Sequence, residues 1–168
     1  MLTLRSGYPS LKFCAPWQTI DQCVAYGDNG AYDAAADGKF YYDGGHLQKH
    51  ASLIGLGAKT STGLASAIKS QLGNDIAVKY TQPQPAGGGY GTPEAYARFL
   101  RKLLNGQLYL SALLGSNAVC TDPSMCPGQA IYSPMPQDAA WEDSIAHRIE
   151  SDPVKGDGAF SRPGVSGI

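Results

Sequence analysis

The chain has no excess of charge of either sign: 13 Lys and Arg stand against 14 Asp and Glu, for a formal net charge of −1. That balance removes the electrostatic case for nucleic acid or an anionic membrane surface as a partner. Long apolar runs are missing too, and nothing approaches the ~20 residues a membrane helix requires. The amino-terminal stretch, Met1 to Pro9, is too poor in apolar residues to read as a secretion signal. There is no internal repeat and no low-complexity tract. Charged residues are scarce at 16%, yet hydrophobic residues make up 43%, a globular rather than a disordered composition. Glycine and proline are plentiful: 21 Gly and 11 Pro among 168 residues predict a chain with much loop. That length suits one domain with its own core and not two.

Cysteine is sparse but patterned. The four residues form two close pairs, Cys14 with Cys23 and Cys120 with Cys126, each flanking a proline-containing loop (Pro16, Pro123). Four cysteines allow three connectivities, and only the local one closes both loops without long-range assumptions. Neither pair has the two-residue spacing usual in zinc sites. Local disulfides imply an oxidising compartment; reduced thiols are the alternative.

Local signals predict several helices separated by loop. Residues 1–18 read as loop, and Thr19 caps a short helix ending at Val24. Leu47, Ala51, Leu53 and Ile54 predict a helix over 45–57, and a second spans 61–72, stopped by Gly73-Asn74. Residues 75–91 read as a short extended piece and then a Pro/Gly-rich turn. The strongest element follows. Thr92 is an N-cap, Pro93 takes the first helical position, Glu94 suits the positive end of the dipole, and Arg101 and Lys102 suit the negative end. Gly106 can close that helix, and Tyr96, Phe99, Leu100, Leu103 and Leu104 give it an apolar face. Residues 108–114 are apolar and fit helix or buried strand, 115–140 read as a long loop, and 144–149 fit strand or helix.

The order Ala86-Gly-Gly-Gly-Tyr-Gly-Thr-Pro-Glu-Ala-Tyr-Ala-Arg-Phe-Leu-Arg-Lys-Leu-Leu-Asn-Gly106 resembles a segment of the serine β-lactamase-like hydrolases, which include penicillin-binding proteins and related esterases. Three further stretches resemble the same family, in the same chain order. Leu2-Thr-Leu-Arg-Ser-Gly-Tyr8 is similar to its Ser-Gly loop, and Lys39 to Leu47 to the segment bearing its Tyr-x-Asn motif. Asp157 to Gly167 is similar to the strand bearing its third motif. The resemblance implies a β-lactamase/DD-peptidase-like α+β fold. Residues 1–140 would then form the loop-rich helical part and 141–168 the beginning of the sheet part.

The parental reaction would be hydrolysis of an ester, amide or β-lactam through an acyl-serine, with a small-molecule or peptide-like substrate, no cofactor and no metal. Tyr42 takes the place of the catalytic tyrosine, with Tyr41 as the alternative register, and Gly44 stands where relatives often carry asparagine. A phenol moves protons near neutrality only if neighbouring positive charge lowers its pKa from about 10. Arg162 and Gly164 match the substrate-binding positions of the third motif, Arg162 as a carboxylate anchor and Gly164 as the close-approach glycine; a plain Ser-Arg-Pro-Gly turn is the alternative. The family is extracytoplasmic, in keeping with the cysteines.

The nucleophile does not fit. One literal Ser-x-x-Lys occurs, Ser66-Ala-Ile-Lys69, but it lies inside a helix and after the tyrosine segment. The serine of this chemistry sits at a helix start with the lysine one turn on, and in the family it precedes the tyrosine. The expectation is therefore an internal fragment, inactive alone, whose uncovered apolar surface favours self-association. The alternative is a disulfide-braced binding domain without chemistry. His46 and His50 have the i, i+4 spacing of two metal ligands but lack an accompanying His-Glu-x-x-His pattern, so they read as an ordinary pair. Gly115-Ser-Asn117 reads as loop.

Overall fold

The computed structural model describes residues 3–113, 119–120, 123–124 and 126–133. Among the described residues four α-helices and four short strands succeed one another, the strands in two separate two-stranded sheets. Among the described residues, no helix is long and apolar enough to cross a membrane.

Helix α1 (Ile20–Val24) begins where Thr19 predicts. The Thr19 hydroxyl accepts from the Gln22 amide at 3.2 Å, and the Gln22 side chain accepts from the Thr19 amide at 2.9 Å. This reciprocal cap satisfies two amides that helix geometry leaves unpaired. Strand β1 (Phe40–Tyr41) leads into helix α2 (Gly45–Ala51). Helix α2 does not run regularly to residue 57. It is kinked within Ser52–Leu56, where Gly55 takes the non-helical φ +87. Leu53 and Ile54, expected inside, face solvent; even on a regular helix Leu53 would lie about 200° around from Ala51.

Helix α3 (Ser61–Leu72) is capped by Thr60, whose side chain accepts from the Gly63 amide, and it ends at Gly73 with φ +105. Strand β2 (Val78–Tyr80) pairs antiparallel with β3 (Gly89–Gly91), Lys79 lying opposite Tyr90. The glycine run expected to form a turn is thus partly a strand, and the reversal falls within 81–88. Helix α4 (Pro93–Leu104) has the predicted cap, Thr92 accepting from the Ala95 amide at 3.2 Å, and Gly106 beyond it has φ +69. A 3-10 turn at Tyr109–Leu113 follows. Strand β4 (Ala130–Tyr132) pairs in parallel with β1, with a bulge between Phe40 and Tyr41; it lies inside the segment read as loop.

Two apolar centres hold this together. Ile20, Ala51 and Leu64 are buried where α1, α2 and α3 meet, with Val24, Leu56, Ile68 and Tyr80 packed against them. Leu4, Phe40 and Ala130 form the second, flanked by Tyr42, Leu47, Val119 and Cys126. Burying an aliphatic or aromatic side chain stabilises by about 1.5–3 kcal/mol, so these few residues carry much of the fold.

Both expected cysteine pairs are joined. Cys14–Cys23 spans 5.4 Å between Cα atoms and Cys120–Cys126 spans 6.5 Å. Fully buried Asn29 secures the first loop: its amide donates to the Cys23 carbonyl at 2.8 Å, and its side-chain oxygen accepts from the Lys12 amide. Two bridges of this kind fit an oxidising environment. The expected sheet part, 141–168, lies outside the described residues.

Candidate functional site

Two of the stretches singled out in the sequence meet in space. The loop Leu4–Ser10 lies along the segment Phe40–His46, tied to it by main chain: the Tyr41 amide donates to the Leu4 carbonyl at 3.0 Å, and the Gly45 amide to Pro9 at 3.2 Å. Leu4 adopts a left-handed conformation, φ +55, costly for a side-chain residue. Its burial beside Phe40 and Ala130 holds it there. Gly7 (φ +69) lies under the Tyr32 ring, where a Cβ would come within 2.5 Å of a ring carbon. Gly45 is pressed against the loop as closely. A Cβ there would come within 2.5 Å of the Tyr8 carbonyl oxygen and 2.6 Å of the Pro9 carbonyl oxygen.

His46 fastens the two stretches. Its Nδ1 accepts from the Ser6 amide at 3.2 Å and lies 2.7 Å from the Ser6 hydroxyl oxygen. Because the amide can only donate, Nδ1 carries the lone pair, and the network assigns the ring proton to Nε2. Nε2 is buried without a hydrogen-bond partner. The ring is wholly inaccessible, and burial, the largest cause, lowers its pKa from the ordinary 6.5 to about 4. Ser6 and His46 therefore have the outward form of a nucleophile and its base. The imidazole is nonetheless too weak a base for that work near neutrality, and the pair acts as a clamp.

Tyr42 is half-buried beside this clamp, its ring centroid 6.5 Å from that of Phe40 and its amide donating to the Tyr132 carbonyl at 2.9 Å. Tyr41, the alternative register, has its ring 5.4 Å from Tyr132. Asp43 follows, half-buried, its carboxylate accepting from the Gly44 amide at 2.6 Å; desolvation holds its pKa above the usual carboxylate value. A Cβ at Gly44 would meet Leu11 and would lie 2.9 Å from the Ala86 Cβ. An asparagine does not fit there without rearrangement. Lys49, on the same helix, places its ammonium 5.3 Å from the Tyr8 ring centroid, a cation–π contact.

No family model, curated protein or solved structure matches this chain.

The remaining candidates are dispersed. Ser66 is exposed within α3 and donates to the Thr62 carbonyl at 3.0 Å, bonding one turn back. Lys69 is exposed farther along the same helix. His50 is half-buried on α2, while His46 gives its lone pair to Ser6. Among the described residues there is no group of three or more possible metal ligands. Arg162, Gly164 and Gly115-Ser-Asn117 fall outside the described residues.

Sequence reasoning missed the role of His46 with Ser6, and no periodicity or motif announces it. The one usable signal was the doublet Gly44-Gly45 before a histidine, which marks a place where backbone must come close.

Proposed function

We propose that the chain carries the tyrosine side of an acyl-transfer site of the β-lactamase-related kind and is inactive alone. One observation supports the reading above the others: the Ser-Gly loop and the tyrosine turn, far apart in sequence, adjoin through Ser6 and His46 at 2.7 Å. Tyr42 would shuttle the proton to or from an acylated serine and its leaving group. Arg162 would anchor a substrate carboxylate bidentately, and Gly164 would let substrate lie close to the main chain. The substrate class is an ester, amide or β-lactam, and the compartment extracytoplasmic.

Ser66 is not the nucleophile in this proposal, because its hydroxyl is turned back onto α3 and no base faces it from a helix start. The coding sequence upstream of Met1 tests the reading. It should continue in frame and encode Ser-x-x-Lys; a stop codon immediately upstream counts against it.

A second reading, a binding domain without chemistry, has its own support. Phe13 and Trp17 are 71% and 81% exposed beside the buried Cys14–Cys23 bridge, an arrangement that offers two large aromatic surfaces on a braced loop.

A further inference from the structure

Helix α4 turns a coherent apolar face to solvent. At 3.6 residues per turn, Pro93, Tyr96, Ala97, Leu100 and Leu104 share an arc of about 100°, and all five are exposed. Ala95, on the far side, and Leu103, at the edge of the arc next to Tyr96, are buried. Tyr96 is 62% and Leu104 75% exposed, and the face continues into Tyr109 of the adjoining 3-10 turn, at 89%. Between α4 and that turn lies an open groove of about 700 Å3, lined by Leu103, Leu104, Leu108 and Tyr109 among others.

Charge decides what fits it. Glu94 and Arg101 are both exposed and lie seven residues apart, two turns, on one flank of the apolar arc. A two-fold axis perpendicular to an antiparallel helix pair keeps each flank on its own side. Centred between Ala97 and Arg98, such a pair sets Glu94 of each copy against Arg101 of the other, and Tyr96 beside Phe99. The same arrangement opposes the helix dipoles.

The apolar area supplies the larger part of what a dimer buries. At on the order of 200 Å2 per large side chain, the exposed parts of Tyr96, Leu100, Leu104 and Tyr109 come to roughly 500 Å2, before any contribution from the flanking residues. A specific dimer buries about 800 Å2 per partner.

We infer that a second copy of this chain covers α4, as an antiparallel, two-fold α4–α4 pair held by Tyr96, Leu100 and Leu104 and registered by reciprocal Glu94–Arg101 contacts. The pairing is isologous, so it closes at two copies.

Sedimentation of the full-length chain tests it by charge exchange. The wild-type protein should sediment as a dimer, and Glu94→Arg and Arg101→Glu should each weaken association at least about ten-fold, because like charges then face each other twice. The double variant Glu94→Arg/Arg101→Glu should dimerise again, and mixing the two single variants should give a heterodimer. Circular dichroism of each variant should show helix content unchanged. A wild-type monomer at up to ~100 µM, such as would result if the chain's own 134–168 segment covered α4, overturns the proposal. Association that ignores the charge exchange overturns it equally.

Discussion

His46 sits at the join of the two motif-like stretches, and its burial makes that join sensitive to pH. The folded chain holds the ring neutral, with a pKa near 4 against the ordinary 6.5. Since the folded value is the lower one, the unfolded chain takes up the proton first as pH falls. The contribution is fully present above about pH 6.5, declines as the pH drops towards 4, and levels off below that. The 2.5-unit gap sets an upper bound of about 3 kcal/mol. Urea melts of the wild type between pH 7 and 4 should show that loss, and His46→Gln, which cannot charge, should flatten the dependence. A wild-type curve as flat as the variant's across that window would show that His46 is not buried neutral against Ser6. The residue scale also explains why Gly44 and Gly45 admit no ready replacement: Leu11, Ala86 and the carbonyls of Tyr8 and Pro9 occupy the space of any Cβ.

Elements were legible where the information is local. Thr19, Thr60 and Thr92 each cap a helix through a side-chain oxygen, and Pro93 and Gly106 bound α4 as their conformational preferences dictate. Strands β1 and β4 were not legible, because they are two and three residues long and exist through a parallel pairing some 90 positions apart. No two-residue strand carries an alternation to read. The irregular end of α2 was hidden too, since Gly55 alone interrupts an otherwise helical apolar pattern.

At this scale the cysteine bridges carry a direct test. Peptide mapping without reductant should recover Cys14 with Cys23 and Cys120 with Cys126. Replacing either pair by serine should cost about 2–3 kcal/mol by loss of loop constraint. The Cys14–Cys23 change should be the dearer, because both residues are fully buried beside Asn29. Free thiols at all four positions after expression in an oxidising compartment would refute the pairing.

For the whole molecule, half of the candidate site could be foreseen and half could not. Tyr42, Ser6 and Gly7 belong to motifs that sequence order alone brings forward, yet only the fold places the loop 4–10 against the turn at 42–46. Long-range approach of this kind leaves no periodic trace in the chain. The α4 face was legible as amphipathic, but the pattern predicts only that something apolar must cover it. Its occupant came from the flanking charges, which matter once Tyr96 and Leu104 are seen to face outward.

The proposed role of Tyr42 beside an acylated serine is open to test by fluorescent-penicillin labelling. The chain alone should be compared with the same chain supplied with a Ser-x-x-Lys helix in trans or by fusion, and labelled protein read by intact mass. No adduct is expected on the chain alone, a stoichiometric adduct once the serine helix is supplied, and labelling slowed about 100-fold or more by Tyr42→Phe in the latter. A stoichiometric adduct on Ser66 of the chain alone, or a Tyr42→Phe protein labelled as fast as its parent, would contradict it.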